Sequence, residues 1–416
     1  MTVPSPAPPP ARITAIDTVR GVAVLGILIM NVVGMAMPSA AYDNPHAYGG
    51  ASGADLFAWA TAFVVADGKM RGLFTMLFGA SMAIVADRAA ARGASPAAVH
   101  YQRMAWLLVI GAIHAYLIWY GDILVEYALT GAILFFTLRW RPAALFYMAL
   151  VFWGVDIAMH VDGWIALDTL RAASSQPDAP AAIVRDWQRL ATPDAAAIMR
   201  ELAGYRGGFA SVEAARMANA LTLQAMLPRF LIESLGMAAL GIGLYRTGYF
   251  TRWPARAHRV LIVAGAVALV LTAWVASAAA RLDPVAMHGA AAASLVLRPA
   301  IMLGYASVLI LLVTSGKAYA LVARLAAAGR MALTNYLASS LVLTTIFYGY
   351  GGGLFGTVSR AALAPFVLAM WALVLLWSKP WLDRFAYGPT EWLWRSLARR
   401  RLQPMRIRHR LTSKRE

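Results

Sequence analysis

Cysteine is absent from the 416-residue chain. Disulfides, thiolate nucleophiles and zinc–thiolate centres are excluded with it. Charge is scarce as well: 14% of residues are Asp, Glu, Lys or Arg, while 60% are hydrophobic. That balance excludes a disordered, collagen-like or small disulfide-stapled chain, and it offers more apolar surface than a soluble core absorbs. Acidic residues are the rarer sign, 20 against 37 Lys and Arg, for a formal net charge of +17. In a soluble chain this would point to nucleic acid. Here the basic residues fall between apolar runs and read as topology signals, so no nucleic-acid partner is expected. The outer turn Tyr348 to Gly356 reads as a flexible loop without the Lys and the Ser or Thr of a phosphate-binding loop, and neither a nucleotide motif nor an internal repeat is found elsewhere. The N-terminus has no basic start of a secretory signal. Pro4, Pro6, Pro8, Pro9 and Pro10 mark residues 1–15 as a Pro-rich tail, expected to be retained and cytoplasmic.

What is present is a series of apolar runs of bilayer length. They fall near residues 16–36, 104–119, 123–138, 142–160, 230–248, 260–280, 299–315, 331–350 and 360–378. Residues 52–86 are too long for one simple crossing and are interrupted by Asp67-Gly68-Lys69-Met70-Arg71. Cytoplasmic connections carry Lys and Arg. The connection 37–52 has neither, while 87–103 holds Arg88, Arg92 and Arg103, so an odd number of crossings separates them. The stretch 52–86 therefore reads as one discontinuous passage, the alternative being an ordinary two-helix hairpin. The expectation is an all-α, polytopic transmembrane helical bundle of about ten passages with a helical external segment and both termini cytoplasmic. Its parts are an N-terminal transmembrane half at 16–160, the external segment at 161–229, a C-terminal transmembrane half at 230–380 and a basic cytoplasmic tail at 381–416.

Polar side chains at membrane depth are expensive and therefore informative. The densest group is His114 through Glu126. Trp119, Tyr120 and Gly121 read as an outer interfacial turn, with His114 on the helix before it, Asp122 opening the next helix and Glu126 one turn deeper. A carboxylate that fixes a histidine tautomer is the minimum equipment of a general base, and equally of a proton relay. Asp17 and Arg20 share a face at the start of the first run, and Asn31 lies near its outer end. Lys69 and Arg71 would line the break in the second passage. Tyr205 and Arg206 sit in the external segment, read either as a structural cap or as a lid. Glu233 follows Arg229 at a spacing that suits a local ion pair as well as a site, and Asn335 and Tyr336 open a late run. His46 and Asp55 belong to the outer connection.

Five stretches together are similar to the YeiB family of bacterial inner-membrane proteins. They are Asp17-Thr-Val-Arg20-Gly21 continuing to Asn31, Lys69-Met-Arg71 continuing to Gly79, His114 to Leu124, Gly329-Arg330 continuing to Tyr336, and Phe385 to Arg395. The first run also resembles the opening helix of two transmembrane acyltransferase groups. In the acyltransferase-3 family a His stands eleven residues after the Arg, where this chain has Asn31. The heparan-α-glucosaminide N-acetyltransferases have Asn there and a catalytic His in the next outer loop ahead of Ala-Asp-Leu, to which His46 and Ala54-Asp55-Leu56 are similar. The resemblance implies acyl transfer from a cytoplasmic acyl-CoA donor to an external acceptor such as a glycan or small molecule. Lys69, Arg71 or Arg20 would meet the donor's phosphates, and Asn31 would polarise the thioester. His114, or else His46, would be the base, with Asp122 orienting it; Asp17, Asp55, Glu126, Tyr205, Arg206, Asn335 and Tyr336 complete the expected binding set. No metal is expected.

The competing reading is a proton-coupled transporter or exporter, with His114, Asp122, Glu126 and the broken passage forming its pathway. Expected partners are the lipid bilayer, acyl-CoA and the external acceptor; homo-oligomerisation stays open.

Overall fold

A computed structural model describes residues 13–280 and 283–407. Most of the Pro-rich tail and the basic end from 408 onward lie outside the described residues. Within them the chain is helical, its one bridge being an isolated pairing of Phe385 with Arg406.

Helix α1, Thr14–Ala36, is almost wholly buried and forms the centre of the bundle. It is followed by α2 (Gly53–Val65), α3 (Lys69–Ala90), α4 (Pro96–Leu117) and α5 (Leu124–Leu134). Next come α6 (Pro142–Ser174), α7 (Ala181–Ala191), α8 (Ala195–Arg206), α9 (Phe209–Ala225) and α10 (Leu227–Thr247). The chain continues through α11 (Ala255–Ala279), α12 (Pro284–Thr314), α13 (Tyr319–Arg330), α14 (Ala332–Phe347), α15 (Ala364–Arg384) and α16 (Pro389–Ala398). Several starts are written locally. Proline occupies the first turn of α4, α6 and α12, where its missing N–H is not needed. Ser95 and Asp283 cap α4 and α12 through their side-chain oxygens.

Seven helical stretches among the described residues are long and apolar enough to cross a membrane: 14–36, 53–90, 142–174, 227–247, 255–279, 284–314 and 361–384. The protein is thus a multi-pass helical bundle. The remaining expected passages coincide with α4, which carries His100, Arg103 and His114, and with the shorter apolar stretches 124–137 and 332–347.

The stretch 53–90 is broken. Helix α2 has 13 residues, about 20 Å at 1.5 Å per residue, too short to cross about 30 Å of hydrocarbon alone. The chain then turns at Gly68, whose φ of +66° suits glycine. A Cβ there would collide with the Arg298 guanidinium, so the glycine also makes room for that side chain.

Three features differ from the sequence reading. The boundary at 160 falls inside α6, which runs unbroken to Ser174 because nothing before Ser175 offers a stop signal. The Trp119–Gly121 turn is not an interfacial girdle: Trp119 and Tyr120 are buried because α8 and α9 pack over them. The loop from Tyr348 to Gly356 is pinned rather than flexible. Gly349 N–H donates to Tyr205 O (2.8 Å) and Gly356 N–H to Ala36 O (2.7 Å), and the Tyr205 and Phe355 rings stack at 4.6 Å.

Candidate functional site

His114 lies in the last turn of α4, which ends at Leu117, and its carbonyl accepts the N–H groups of Ile118 (3.0 Å) and Trp119 (2.8 Å). The chain turns, and Asp122 opens α5 by accepting the Val125 N–H at its Oδ1 (2.8 Å). Its other oxygen lies 2.7 Å from His114 Nδ1. Gly111, one turn before His114, permits the approach: a Cβ there would stand 2.7 Å from Val125 N and 3.0 Å from Asp122 Oδ1. The Tyr336 ring lies 4.9 Å from the imidazole, and its hydroxyl donates to Gly121 O at 3.2 Å. Both the His114 and Asp122 side chains are closed to solvent. Nε2 of His114 is buried without a hydrogen-bond partner among the described residues. With Asp122 ionised, Nδ1 carries the proton and Nε2 the lone pair, the tautomer of a poised general base.

One turn beyond Asp122, Glu126 enters an ion network that joins four helices. Arg71 of α3 reaches Glu126 of α5 (3.5 Å) and Glu233 of α10. Arg298 of α12 reaches Glu233 from the other side at 2.8 Å, and Ser234 donates to Glu126. Two guanidiniums and two carboxylates balance, as burial demands. Glu233 therefore serves the core, not the local pair with Arg229 that its spacing suggested. Arg298 escaped the sequence reading. Its one signal there is a lone arginine inside an apolar helix, just ahead of Pro299. Arg71, though deep in the bundle, keeps 27% of its side chain exposed, so it borders a space that solvent enters.

Residues 244–401 match the profile of a family described as protein of unknown function, DUF418. Over 403 residues the chain is 31% identical to "Uncharacterized protein YeiB" of Escherichia coli (strain K12), covering 94% of this chain and 98% of that one. It is 28% identical over 423 residues to "Uncharacterized protein YxaH" of Bacillus subtilis (strain 168), covering 95% and 96%. The chain belongs to the YeiB family.

The other expected site residues of this YeiB-family chain separate into groups. Arg20 pairs with Asp17 (3.1 Å) and donates to Ser81 Oγ (2.6 Å), tying α1 to α3. Lys69 is fully buried and donates to Phe63 O (2.6 Å) and Ser294 Oγ (2.9 Å). It closes the end of α2. The three cations expected to meet donor phosphates thus already have partners. Asn31 is buried with no side-chain hydrogen bond among the described residues.

Asp55 accepts the Ala361 N–H at 2.8 Å, an anchor between the start of α2 and the turn before α15. Asn335 bridges the α13–α14 break, donating to Ala328 O (3.1 Å) and Ser378 Oγ (3.2 Å) while accepting from Trp377 (3.1 Å). Arg206 holds the carbonyls of Phe355 (2.8 Å) and Gly356 (3.0 Å). His46 is exposed, and no contact brings it to His114. Arg216 of α9, to which sequence reading assigned no role, is buried and donates to Tyr116 O (3.0 Å) and Ile118 O (3.2 Å). It clamps α9 onto the turn beside the dyad. Two open clefts, of 560 and 400 Å³, lie on the C-terminal segment around Trp392 and Arg401, away from His114.

Proposed function

We propose that the chain is an integral membrane acyltransferase of the cytoplasmic membrane, with both ends cytoplasmic, that moves an acyl group from acyl-CoA to an external acceptor. The observation carrying this reading is the unpartnered Nε2 of His114 opposite an Nδ1 held by Asp122. In the reaction, Nε2 takes the proton of an acceptor hydroxyl or amine as its O or N attacks the thioester carbonyl carbon. The carbon–sulfur bond breaks, and the imidazolium returns its proton to the departing thiolate. Asn31 serves as a donor to the carbonyl oxygen. Closure of the site to water limits hydrolysis, so acceptor and thioester must displace neighbouring side chains to reach Nε2.

Because Arg20, Lys69 and Arg71 are engaged, the donor's phosphates fall to other cations. Arg103 stacks at 4.0 Å on Trp394, with Arg395 and Arg399 following on α16, and these are the best placed by chemistry. The transporter reading draws on a different observation, the charge network beside a helix break.

Calorimetry with acetyl-CoA and longer acyl-CoAs, followed by acyl-release assays, tests the proposal. Saturable binding with release that His114→Ala abolishes while binding persists supports it. Absence of binding to any acyl-CoA rejects it in favour of transport, to be measured as flux into proteoliposomes.

A further inference from the structure

After α15 the chain folds back on itself. Ala386 N–H donates to Met405 O (2.8 Å) and Ile407 N–H to Arg384 O (3.2 Å), so the chain around Arg406 runs antiparallel beside Phe385. Helix α16 lies between these two limbs and is tied to the second. Trp392 Nε1 donates to Gln403 O (2.7 Å), Arg399 to Gln403 Oε1 (2.6 Å), and Gln403 N–H to Ser396 Oγ (3.2 Å). The helix is also tied to the bundle. Glu391 accepts the Leu333 and Thr334 N–H groups (2.8 and 3.1 Å), and Trp394 donates to Arg103 O (2.9 Å).

The two open clefts lie in this segment and share a wall, because Trp392 lines one and its partner Gln403 lines the other. Their chemistry differs. The larger, 560 Å³, is lined by Trp381, Pro389, Thr390, Trp392, Leu393 and Met405. Both indole N–H groups there are already used, that of Trp381 on Tyr387 O (2.9 Å) and that of Trp392 on Gln403, which leaves a mainly apolar surface. The smaller cleft, 400 Å³, has Arg399 and Arg401 in its lining. Residues 392–407 hold five arginines and no acid, while Glu391 is engaged on α14 and Asp383 on Lys379 (2.8 Å). Arg399, Arg400, Arg401 and Arg406 are exposed, and none has a carboxylate partner among the described residues. Apolar side chains project beside them: Leu402 is 75% exposed and Leu393 45%. Water penalises that combination, whereas the boundary between headgroups and acyl chains accommodates both. A nucleotide base in the larger cleft would leave its ring nitrogens without partners; an acyl chain has no polar atoms to satisfy.

We propose that the two clefts form one seat for an anionic phospholipid, with its phosphate on Arg399 and Arg401 and an acyl chain along Trp392 and Met405. Guanidinium groups match phosphate oxygens in charge and geometry. Only residues 385–388 separate α16 from the membrane-length stretch 361–384, which keeps the seat close to the headgroup layer. The inference goes beyond the acyltransferase reading and does not rest on it. Arg399 is common to both, and Arg401 separates them.

The test is native mass spectrometry of the purified full chain in detergent, titrated separately with phosphatidylglycerol, phosphatidylcholine of the same chains, glycerol 1-phosphate and coenzyme A. Phosphatidylglycerol should outbind phosphatidylcholine by about tenfold, and glycerol 1-phosphate, which lacks the chains, should bind more weakly than phosphatidylglycerol. Arg399→Gln and Arg401→Gln should each weaken phosphatidylglycerol about fivefold, the factor one arginine contributes near an anionic surface. Arg415→Gln removes the same charge from the basic tail instead of the cleft lining and should change binding less than about twofold. Leu393→Asn, an exposed position in the apolar cleft, should weaken both phospholipids. If phosphatidylglycerol binds no better than phosphatidylcholine, or if Arg415→Gln matters as much as Arg401→Gln, the attraction is that of a diffuse basic tail and the inference is overturned. It is overturned too if glycerol 1-phosphate binds as tightly as the lipid, or if Arg401→Gln weakens coenzyme A as much as phosphatidylglycerol, since the clefts then hold a free phosphate or the donor. A preference for phosphatidylglycerol in a protein that binds no coenzyme A supports the inference and removes the acyltransferase reading.

Discussion

His114 Nδ1 and Asp122 Oδ2 lie 2.7 Å apart with neither side chain open to solvent. A carboxylate in that position does two things at once: it orients the imidazole and, through its second oxygen, starts α5. Removing either partner therefore changes more than one property, and the substitutions have to be chosen to separate them.

Asp122→Asn keeps the size and a cap oxygen for Val125 but can donate its amide to Nδ1, which moves the ring proton to Nε2. The acceptor lone pair is then lost while the fold persists. The expected outcome is a fall in acyl-transfer rate of about a hundred- to ten-thousand-fold, with acyl-CoA binding and melting temperature near those of the parent. His114→Gln should match it in rate. A parent-like rate in Asp122→Asn would remove the dyad from the chemistry.

Gly111→Ala adds one methyl where Val125 N would be 2.7 Å away. Overpacking at such a contact costs about 1–3 kcal/mol and pushes α4 off the start of α5, lengthening the His114–Asp122 bond. Gly154→Ala is the matched control, since a Cβ there meets nothing within 4 Å. It should be neutral or stabilising by up to about 1 kcal/mol. Unfolding in detergent measures both.

The dyad was legible because its members flank a single helix–turn–helix, eight residues apart, so local geometry brings them together. The broken passage was legible for a similar reason, a charged interruption in an apolar run. The partners of Glu233 were not. They lie 162 and 65 residues away, and only the packing of α3 against α10 and of α12 against α3 and α6 selects them over nearby Arg229. The roles of Arg206 and Arg216 were obscure for another cause: both hold backbone carbonyls of distant segments, which leave no mark in a side-chain pattern. Trp119 and Tyr120 resembled a membrane girdle because an aromatic turn carries no sign of whether another segment covers it.

Glu233→Ala leaves Arg71 and Arg298 to share Glu126. An uncompensated buried charge costs about 3–5 kcal/mol, and Arg298→Ala, which strips Glu233 of one partner, should cost less because Arg71 remains. Replacing both, Glu233→Ala with Arg298→Ala, should destabilise by less than the sum of the single changes. A double-mutant cycle on unfolding midpoints reads this coupling. Additivity would mean that Arg298 and Glu233 do not act as a pair.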